Sequence, residues 1–409
     1  MLGGSPETGS ETDDDTESDT GTTMRILLLA IGSEGYGVRR VWGGLLQGLS
    51  ARGHAVTLVL LKGEHAPAWD DIRPADVDLI TPESGALPEI AGTGLAKLVT
   101  LGRRALRQVA LARWLRTQVR ARAISRVVVQ SPMDVGLAAL AVQGTGAVVF
   151  WMMPNAVSSG YRFDLNRRIY RGLFRGMNVV PVANSQFTGA TLGSGRFRRH
   201  VLHLGIDTER FAPAAVPVLP PRPANIPPDV PLLGLFARLT EEKGHLVLAH
   251  ALARAGGDAH VLICGGPLDS AFADRLRAGI AALGLGGRMH LLGPQDDIVP
   301  LYALCDVVLN TRLDPEPFGM SVIEAMAMGK PVLAHRAGGP GETVIDGQTG
   351  WLIDAPTRDS FAAGLDRMLA DRARWGTMGA AARRHVCANF AEPRMVAGLE
   401  AIMAAPSNT

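Results

Sequence analysis

Cysteine is scarce in this chain. Cys264, Cys305 and Cys387 are odd in number and far apart, which argues against a disulfide framework or a zinc site as the basis of the fold. That usage suits a reducing compartment, and a cytoplasmic location is expected. The first residues are acidic and polar rather than basic and then apolar, so no signal peptide is read there. Residues 135–161 form the only long uncharged run. Gly144-Thr145-Gly146 and Pro154 interrupt it, so it reads as helix, turn and strand rather than as a membrane span. The ten histidines show no ligand spacing, and Asp13-Asp14-Asp15 lies in the acidic start, so no metal site is expected. Residues 1–23 contain no lysine or arginine and carry seven acidic residues among Gly, Ser and Thr, the composition of a disordered tail.

The remainder is ordinary globular material, 47% hydrophobic and 20% charged, and 409 residues is too much for one core. Short apolar runs alternate with helical stretches. MRILLLAI leads into the glycine-rich turn GSEGYG and a helix, and AVTLVLL, VVVQ, AVVFW and VVPVAN follow as further strands. Such continuous runs mark parallel strands covered on both faces. Eight prolines crowd residues 211–231, the composition of a linker. The alternation then restarts with LLGLFARL, HVLICGG, MHLLG, DVVLN, PVLAH and GWLID. The fold class is therefore α/β, with two Rossmann-like doubly wound domains facing each other across a cleft. The first is expected to span 24–205 and the second 206–390, with 391–409 as a terminal helix packing back on the first.

Charge divides unevenly between the halves. Residues 24–205 hold 23 basic against 10 acidic residues, while 206–409 hold 18 against 22. Nine of the basic residues fall between positions 97 and 126 with no acid among them, a solvated helix face or a surface for an anionic partner.

The most informative stretch is 313–342, LDPEPFGMSVIEAMAMGKPVLAHRAGGPGE. A helix starts near Met320 or Ser321 and stops at Gly329 before Lys330-Pro331. Its start presents unpaired N–H groups, and Gly319 lets a ligand approach the backbone, so an anion belongs there. Glu316 lies in the preceding loop and Glu324 about one turn inside the helix. Carboxylates accept from hydroxyls, so a polyhydroxylated phosphate ester such as a nucleotide sugar suits the combination. Arg238 and Lys243, five apart across the turn after LLGLFARL, offer bidentate and point-charge contacts to a diphosphate.

The run EPFGMSVIEAMAMGKPVLAHRAGGPGE, with ARLTEEKGH, GIDTERFAP and ANSQFT upstream, resembles the retaining glycosyltransferases of family 4, whose fold is the two-Rossmann GT-B architecture. The likeness implies a first domain that binds the acceptor and a second that binds the nucleotide sugar, in a metal-independent, hexosyltransferase-type enzyme of carbohydrate or glycoconjugate biosynthesis. It would need no cofactor, its donor being a UDP- or GDP-linked sugar. In that family Glu316 would meet the donor sugar hydroxyls and Glu324 the ribose, Phe318, Gly319, Met320 and Ser321 would line sugar and phosphate, and Arg238 and Lys243 would hold the diphosphate. Gly35 and Gly37 resemble the glycine-rich acceptor and phosphate loop. No acidic ribose ligand ends the next strand, where Lys62 stands, which argues against a dinucleotide turn there. Two departures stand out. Members often carry a His-Asp or similar pair after the strand AVVFW, whereas MMPNAV follows here and leaves Asn155 as a polar contact or a plain turn residue. Leu204 also replaces a common asparagine before the glycine of GIDTERFAP.

The expected reaction is transfer of a sugar to an acceptor hydroxyl, anionic or lipid-linked, with a peripheral contact at the inner membrane face through the basic first domain and no nucleic-acid partner. The rivals are a hydrolase or phosphorylase, a nucleotide-sugar epimerase, and a nucleotide-sugar-binding pseudo-glycosyltransferase that has lost its catalytic groups.

Overall fold

The computed structural model describes residues 23–83, 94–157 and 165–405, so most of the acidic start lies outside the described residues. Two parallel sheets organise the chain. The first comprises β1 (Arg25–Ala30), β2 (Ala55–Leu60), β3 (Asp78–Ile80), β4 (Arg126–Val129), β5 (Val148–Met153), β6 (Val179–Ala183) and β7 (His200–Val201), in the order β3-β2-β1-β4-β5-β6-β7. The second comprises β8 (Leu232–Phe236), β9 (His260–Cys264), β10 (Met289–Gly293), β11 (Val307–Asn310), β12 (Val332–His335) and β13 (Gly350–Ile353), in the order β10-β9-β8-β11-β12-β13. Each is the doubly wound order, which reverses between β1 and β4 and between β8 and β11. Ligands bind outside the carboxyl ends of strands at such reversals.

The continuous apolar runs become strands because both faces of each sheet are covered. Along β1, Ile26 and Leu28 enter one core while Leu27 and Leu29 enter the other, and all four are buried. The period-2 alternation of a strand thus feeds two cores. Each such side chain contributes about 1.5–3 kcal/mol when fully buried. On one side lies the helix Tyr36–Ala51, with Trp42, Leu45 and Leu49 buried against the sheet. The closing helix Glu392–Ala404 adds Met395, Val396, Leu399 and Met403 to this same first-domain core, so the end of the chain returns to where it began. His54 helps to fasten it, its Nδ1 accepting from the Met24 amide at 3.2 Å and its Nε2 lying 2.9 Å from Glu400.

The chain crosses between domains twice, and the two crossings lie side by side. The Ile206 amide donates to the Phe390 carbonyl at 2.8 Å, and the Glu392 amide to the Ile206 carbonyl at 2.9 Å. The proline-rich stretch is not what spans the gap. Phe211 and Ile226 enter cores of the second domain, Val230 is buried, and Arg222 donates to the carbonyls of Pro227 and Val230 at 2.8 and 2.7 Å. Proline there fixes a packed surface segment rather than a tether. Two short edge strands, β3 and β7, also join the first sheet without any apolar run to announce them. No helix among the described residues is long and apolar enough to cross a membrane.

Glu392 stands at the paired crossings, packed over Gly44 of the first helix. Burial and the neighbouring Asp207 push its carboxyl from the ordinary 4.5 up to about 7, against the opposing pull of Arg40. Between those two values the folded protein holds a proton that the unfolded chain has released. Stability therefore falls as pH rises from about 4.5 to 7 and stays at its lower level above. Glu392→Gln should flatten that decline and melt higher than the parent at pH 8, as thermal denaturation across pH 5 to 8 would show.

Candidate active site

A cavity of about 620 Å³ opens between the domains at the carboxyl ends of both sheets. The sequence-selected residues of both halves line it: Arg238, Lys243, Glu316, Phe318, Gly319, Met320, Ser321 and Glu324 from the second domain, and Gly35, Gly37 and Asn155 from the first.

The second-domain wall follows from strand ends. β11 delivers the chain into the loop 311–319, and Gly319 adopts φ 95°, a left-handed conformation that turns the chain into the helix Met320–Ala327. Among the described residues the amides of Met320 and Ser321 meet no main-chain acceptor, as expected of a first helical turn. They border the cavity and remain available to an anion.

Glu316 is paired twice. Lys243 Nζ donates to its Oε2 at 2.9 Å and Arg312 to its Oε1 at 3.1 Å, in a pocket where the Lys243 and Glu316 side chains are only 17% and 12% exposed. Arg312 is a cation that the sequence reading missed. Its other contacts are a two-point pair with Asp314 at 2.7 and 2.8 Å. Burial lowers the Arg312 pKa, but its hydrogen bonds to Asp314 and the charge of Glu316 prevail and raise it, so it stays charged. Arg238 sits differently. Its side chain is 75% exposed at the cavity wall, with Glu242 3.8 Å away. Lys243 is thus the enclosed cation of the pair and Arg238 the open one.

Glu324 is buried, and Tyr302 donates its hydroxyl to Oε2 at 2.7 Å, while Oε1 has no partner. Burial raises its pKa, opposed by the Tyr302 hydrogen bond and by the charges of Arg40 and Arg210. Tyr302 is itself fully buried and stacks on Phe236 at a 3.8 Å centroid separation, which fixes the hydroxyl. An acceptor oxygen buried in a ligand-sized cavity without a donor is incomplete until a ligand brings one.

The first-domain wall carries amides rather than imidazole. Gly35 heads the helix Tyr36–Ala51, and Gly37 approaches the Met320 side chain across the cleft. Asn155 is exposed on the loop after β5. Beside it lie two residues that the sequence reading did not select, Gln130 at the end of β4 and Asn184 at the end of β6. Both are buried, both line the cavity, and each has a side-chain oxygen without a partner. Only their position after apolar strands could have marked them. Among the described residues, no group of three or more His, Cys, Asp or Glu is placed to hold a metal.

Residues 221–385 match the family model described as Glycosyl transferases group 1, which accounts for most of the second domain. The chain is 33% identical over 219 residues to D-inositol 3-phosphate glycosyltransferase of Salinispora arenicola, covering 49% of this chain and 48% of that protein. It is 32% identical over 239 residues to the GDP-mannose-dependent alpha-(1-6)-phosphatidylinositol monomannoside mannosyltransferase of Mycobacterium tuberculosis, covering 55% and 61%. The chain thus spans about half the length of the curated relatives it matches. Among solved structures, HepE of Anabaena in complex with UDP and glucose superposes with a TM-score of 0.75 at 21% identity, covering 94% of this chain and 100% of that one. A glycosyltransferase from Rickettsia africae gives 0.75 at 22%, covering 93% and 98%. The fold is accordingly that of the GT-B glycosyltransferases, two Rossmann-like domains facing a common cleft.

Replacing Tyr302 by Phe keeps the stacked ring but removes the hydroxyl that, among the described residues, is the donor to the Glu324 carboxyl. Leaving that buried group unpaired should cost about 1–3 kcal/mol of stability, measured as a lower urea midpoint.

Proposed function

We propose that the protein is a retaining, hexosyl-transferring glycosyltransferase that takes its sugar from a UDP- or GDP-linked donor. The observation that carries this reading is the convergence, in one cavity, of free helix-start amides, two cations and a buried carboxylate oxygen lacking a donor. Diphosphate satisfies the amides and cations, and a ribose hydroxyl supplies the hydrogen bond that Glu324 lacks. Glu316, held by Lys243 and Arg312, faces the donor sugar. The matched domain at 221–385 and the GT-B fold support the same assignment.

In the reaction the bond from the anomeric carbon to the diphosphate oxygen breaks, and a bond from that carbon to the acceptor oxygen forms on the same face. The acceptor proton passes to the departing diphosphate. Negative charge accumulates on the leaving group, where Lys243, Arg238 and the Met320 and Ser321 amides stabilise it by fixed dipoles and charges. Lys243 has three donors, so it can keep Glu316 and still reach a phosphate oxygen. These protein charges are sufficient for a metal-independent transfer and require no cofactor. On the facing wall, Gln130, Asn155 and Asn184 receive the acceptor hydroxyl.

The acceptor in this reading is anionic or lipid-linked and is presented at a membrane surface. Support comes from the helices Gly94–Ala121 and Leu165–Gly176, where exposed Leu106, Leu165 and Ile169 stand beside exposed Arg103, Arg107 and Arg168. Apolar side chains next to arginine suit the boundary of an anionic bilayer.

Thermal shift with UDP, GDP and ADP and their sugars in the presence of EDTA tests the donor, because a ligand that binds only the folded state must raise Tm. One nucleotide class should stabilise clearly. Lys243→Met should then lower kcat/KM about 10²–10³-fold, as expected for loss of a contact to developing charge. Arg238→Ala, at the open rim, should act mainly on donor KM. Donor binding without acceptor-dependent nucleotide release would point to the rival binder, release without a new glycosidic bond to the hydrolase, and an epimerised donor to the epimerase.

A further inference from the structure

The segment 184–191, NSQFTGAT, makes contacts beyond those of a passive connector. Ser185 and Thr188 are fully buried. The Ser185 hydroxyl donates to the carbonyl of Pro317 at 2.6 Å, 132 positions away and in the other domain, and Thr188 Oγ1 lies 3.3 Å from the same oxygen. Pro317 follows Glu316 and precedes Phe318 and Gly319, so this carbonyl belongs to the loop that sets the anion-facing amides. Glu342, also of the second domain, reaches back to accept from the amides of Gln186 and Phe187, both at 2.9 Å, and lies 3.0 Å from His203 Nε2. Burial raises the Glu342 pKa, but the His203 hydrogen bond and the two amides outweigh it, and the carboxylate stays ionised.

The same segment also holds the opposite wall. Asn184 Nδ2 donates to the Pro154 carbonyl at 3.1 Å, and Thr191 Oγ1 accepts from the Val157 amide at 3.0 Å, so the loop bearing Asn155 is fastened on both sides. One short stretch of the first domain is therefore bonded to the loops on either side of the cavity.

We propose that Ser185, with Glu342 as its counterpart, is a positioning residue: the segment 184–191 clamps the Glu316–Pro317 loop of the second domain and sets its spacing from the Asn155 loop of the first. Nucleotide binding by the second domain then depends on a first-domain hydroxyl that touches no ligand. The proposal rests on the donor reading for its effect on binding, but the clamp itself is observable without any ligand.

Three amides report on the loop. Those of Val322 and Ile323 donate to the Gly319 carbonyl at 3.0 and 3.4 Å, and that of Gly339 to the Glu316 carbonyl at 2.8 Å. Hydrogen exchange at these amides and the Kd values for UDP and GDP are to be measured in the parent, Ser185→Ala, Ser185→Thr and Glu342→Gln proteins. In Ser185→Ala and Glu342→Gln the three amides should exchange at least about tenfold faster through local opening. The nucleotide bound by the parent should bind roughly five- to tenfold more weakly, the range expected when a buried acceptor loses its donor. Ser185→Thr keeps a hydroxyl and should restore both. Faster exchange confined to residues 186–191, with the three loop amides and nucleotide affinity unchanged, would reduce Ser185 to a helix cap for Thr188 and overturn the proposal. If Ser185→Ala fails to fold, Glu342→Gln decides alone, since its amide side chain keeps one acceptor oxygen. A parent that binds neither nucleotide overturns the donor reading, while exchange at the loop amides still decides the clamp.

Discussion

Every backbone carbonyl of the loop 314–319 that leaves water needs a donor, and the amides at its end must stay free. That double requirement governs the shape of the site. The Glu316 carbonyl takes the Gly339 amide and the Pro317 carbonyl takes the Ser185 hydroxyl. Both solutions demand close approach. At Gly338, which has φ 89°, a Cβ would run into the Glu316 backbone, and at Gly339 into the Phe318 backbone. The paired glycines of HRAGGPGE are thus explained by contact with the loop that follows the preceding strand, β11, and Glu342 beyond them by the amides it meets in the first domain. With the carbonyls occupied by protein, the Met320 and Ser321 amides are the groups left for a ligand.

The two glutamates of this loop and helix show how environment assigns different chemistry to one residue type. Glu316 is held between two cations, so its charge is compensated whether or not a ligand is present. Glu324 has a single hydroxyl for a partner, and burial raises its pKa. A carboxyl in that condition favours ligands that donate to it and disfavours anions. Charge compensation lies nearer the Lys243 end and uncompensated acceptor capacity lies at Glu324, so the site is polar along its length. A molecule with phosphate at one point and hydroxyls at another matches that polarity in one orientation only.

Much of this was legible in the residues. The doubly wound sheets were, because strands covered on both faces are written as continuous apolar runs such as RILLLA and VVFWMM. The edge strands β3 and β7, three and two residues long, have no such run and take their conformation from their neighbours. The cavity-lining residues of 313–342 were nameable because a loop, a glycine and a helix start lie consecutively. Arg312 and Tyr302 were not, since nothing local separates an arginine that grips Glu316 from one in solvent, or a tyrosine under Glu324 from one in a core. Ser185 and Glu342 were still less accessible. Their partners lie 132 and more than 150 positions away, and a serine before a helix reads as an ordinary cap.

The clamp also constrains how the domains can move. His203 connects it to the crossings: its ring stands 5.9 Å from Phe318 and 5.5 Å from Phe390, and its Nε2 meets Glu342. Phe390 supplies the carbonyl that receives the Ile206 amide where the chain passes between domains. Site loop, clamp and crossings therefore form one packed series, Phe318 to His203 to Phe390 to Ile206. Rotation about the crossings cannot leave Phe318 in place unless His203 slides between the two phenyl rings and gives up Glu342. Packed interiors resist such sliding because side chains interdigitate at close to crystal density. Closure over a ligand is thus cheapest as a rotation that carries the clamp and the 313–319 loop together. The parts of the first domain that are free to approach are then those outside the clamp, the glycine loop at Gly35 and Gly37 above all, where Gly37 already faces Met320 at the start of the anion-facing helix.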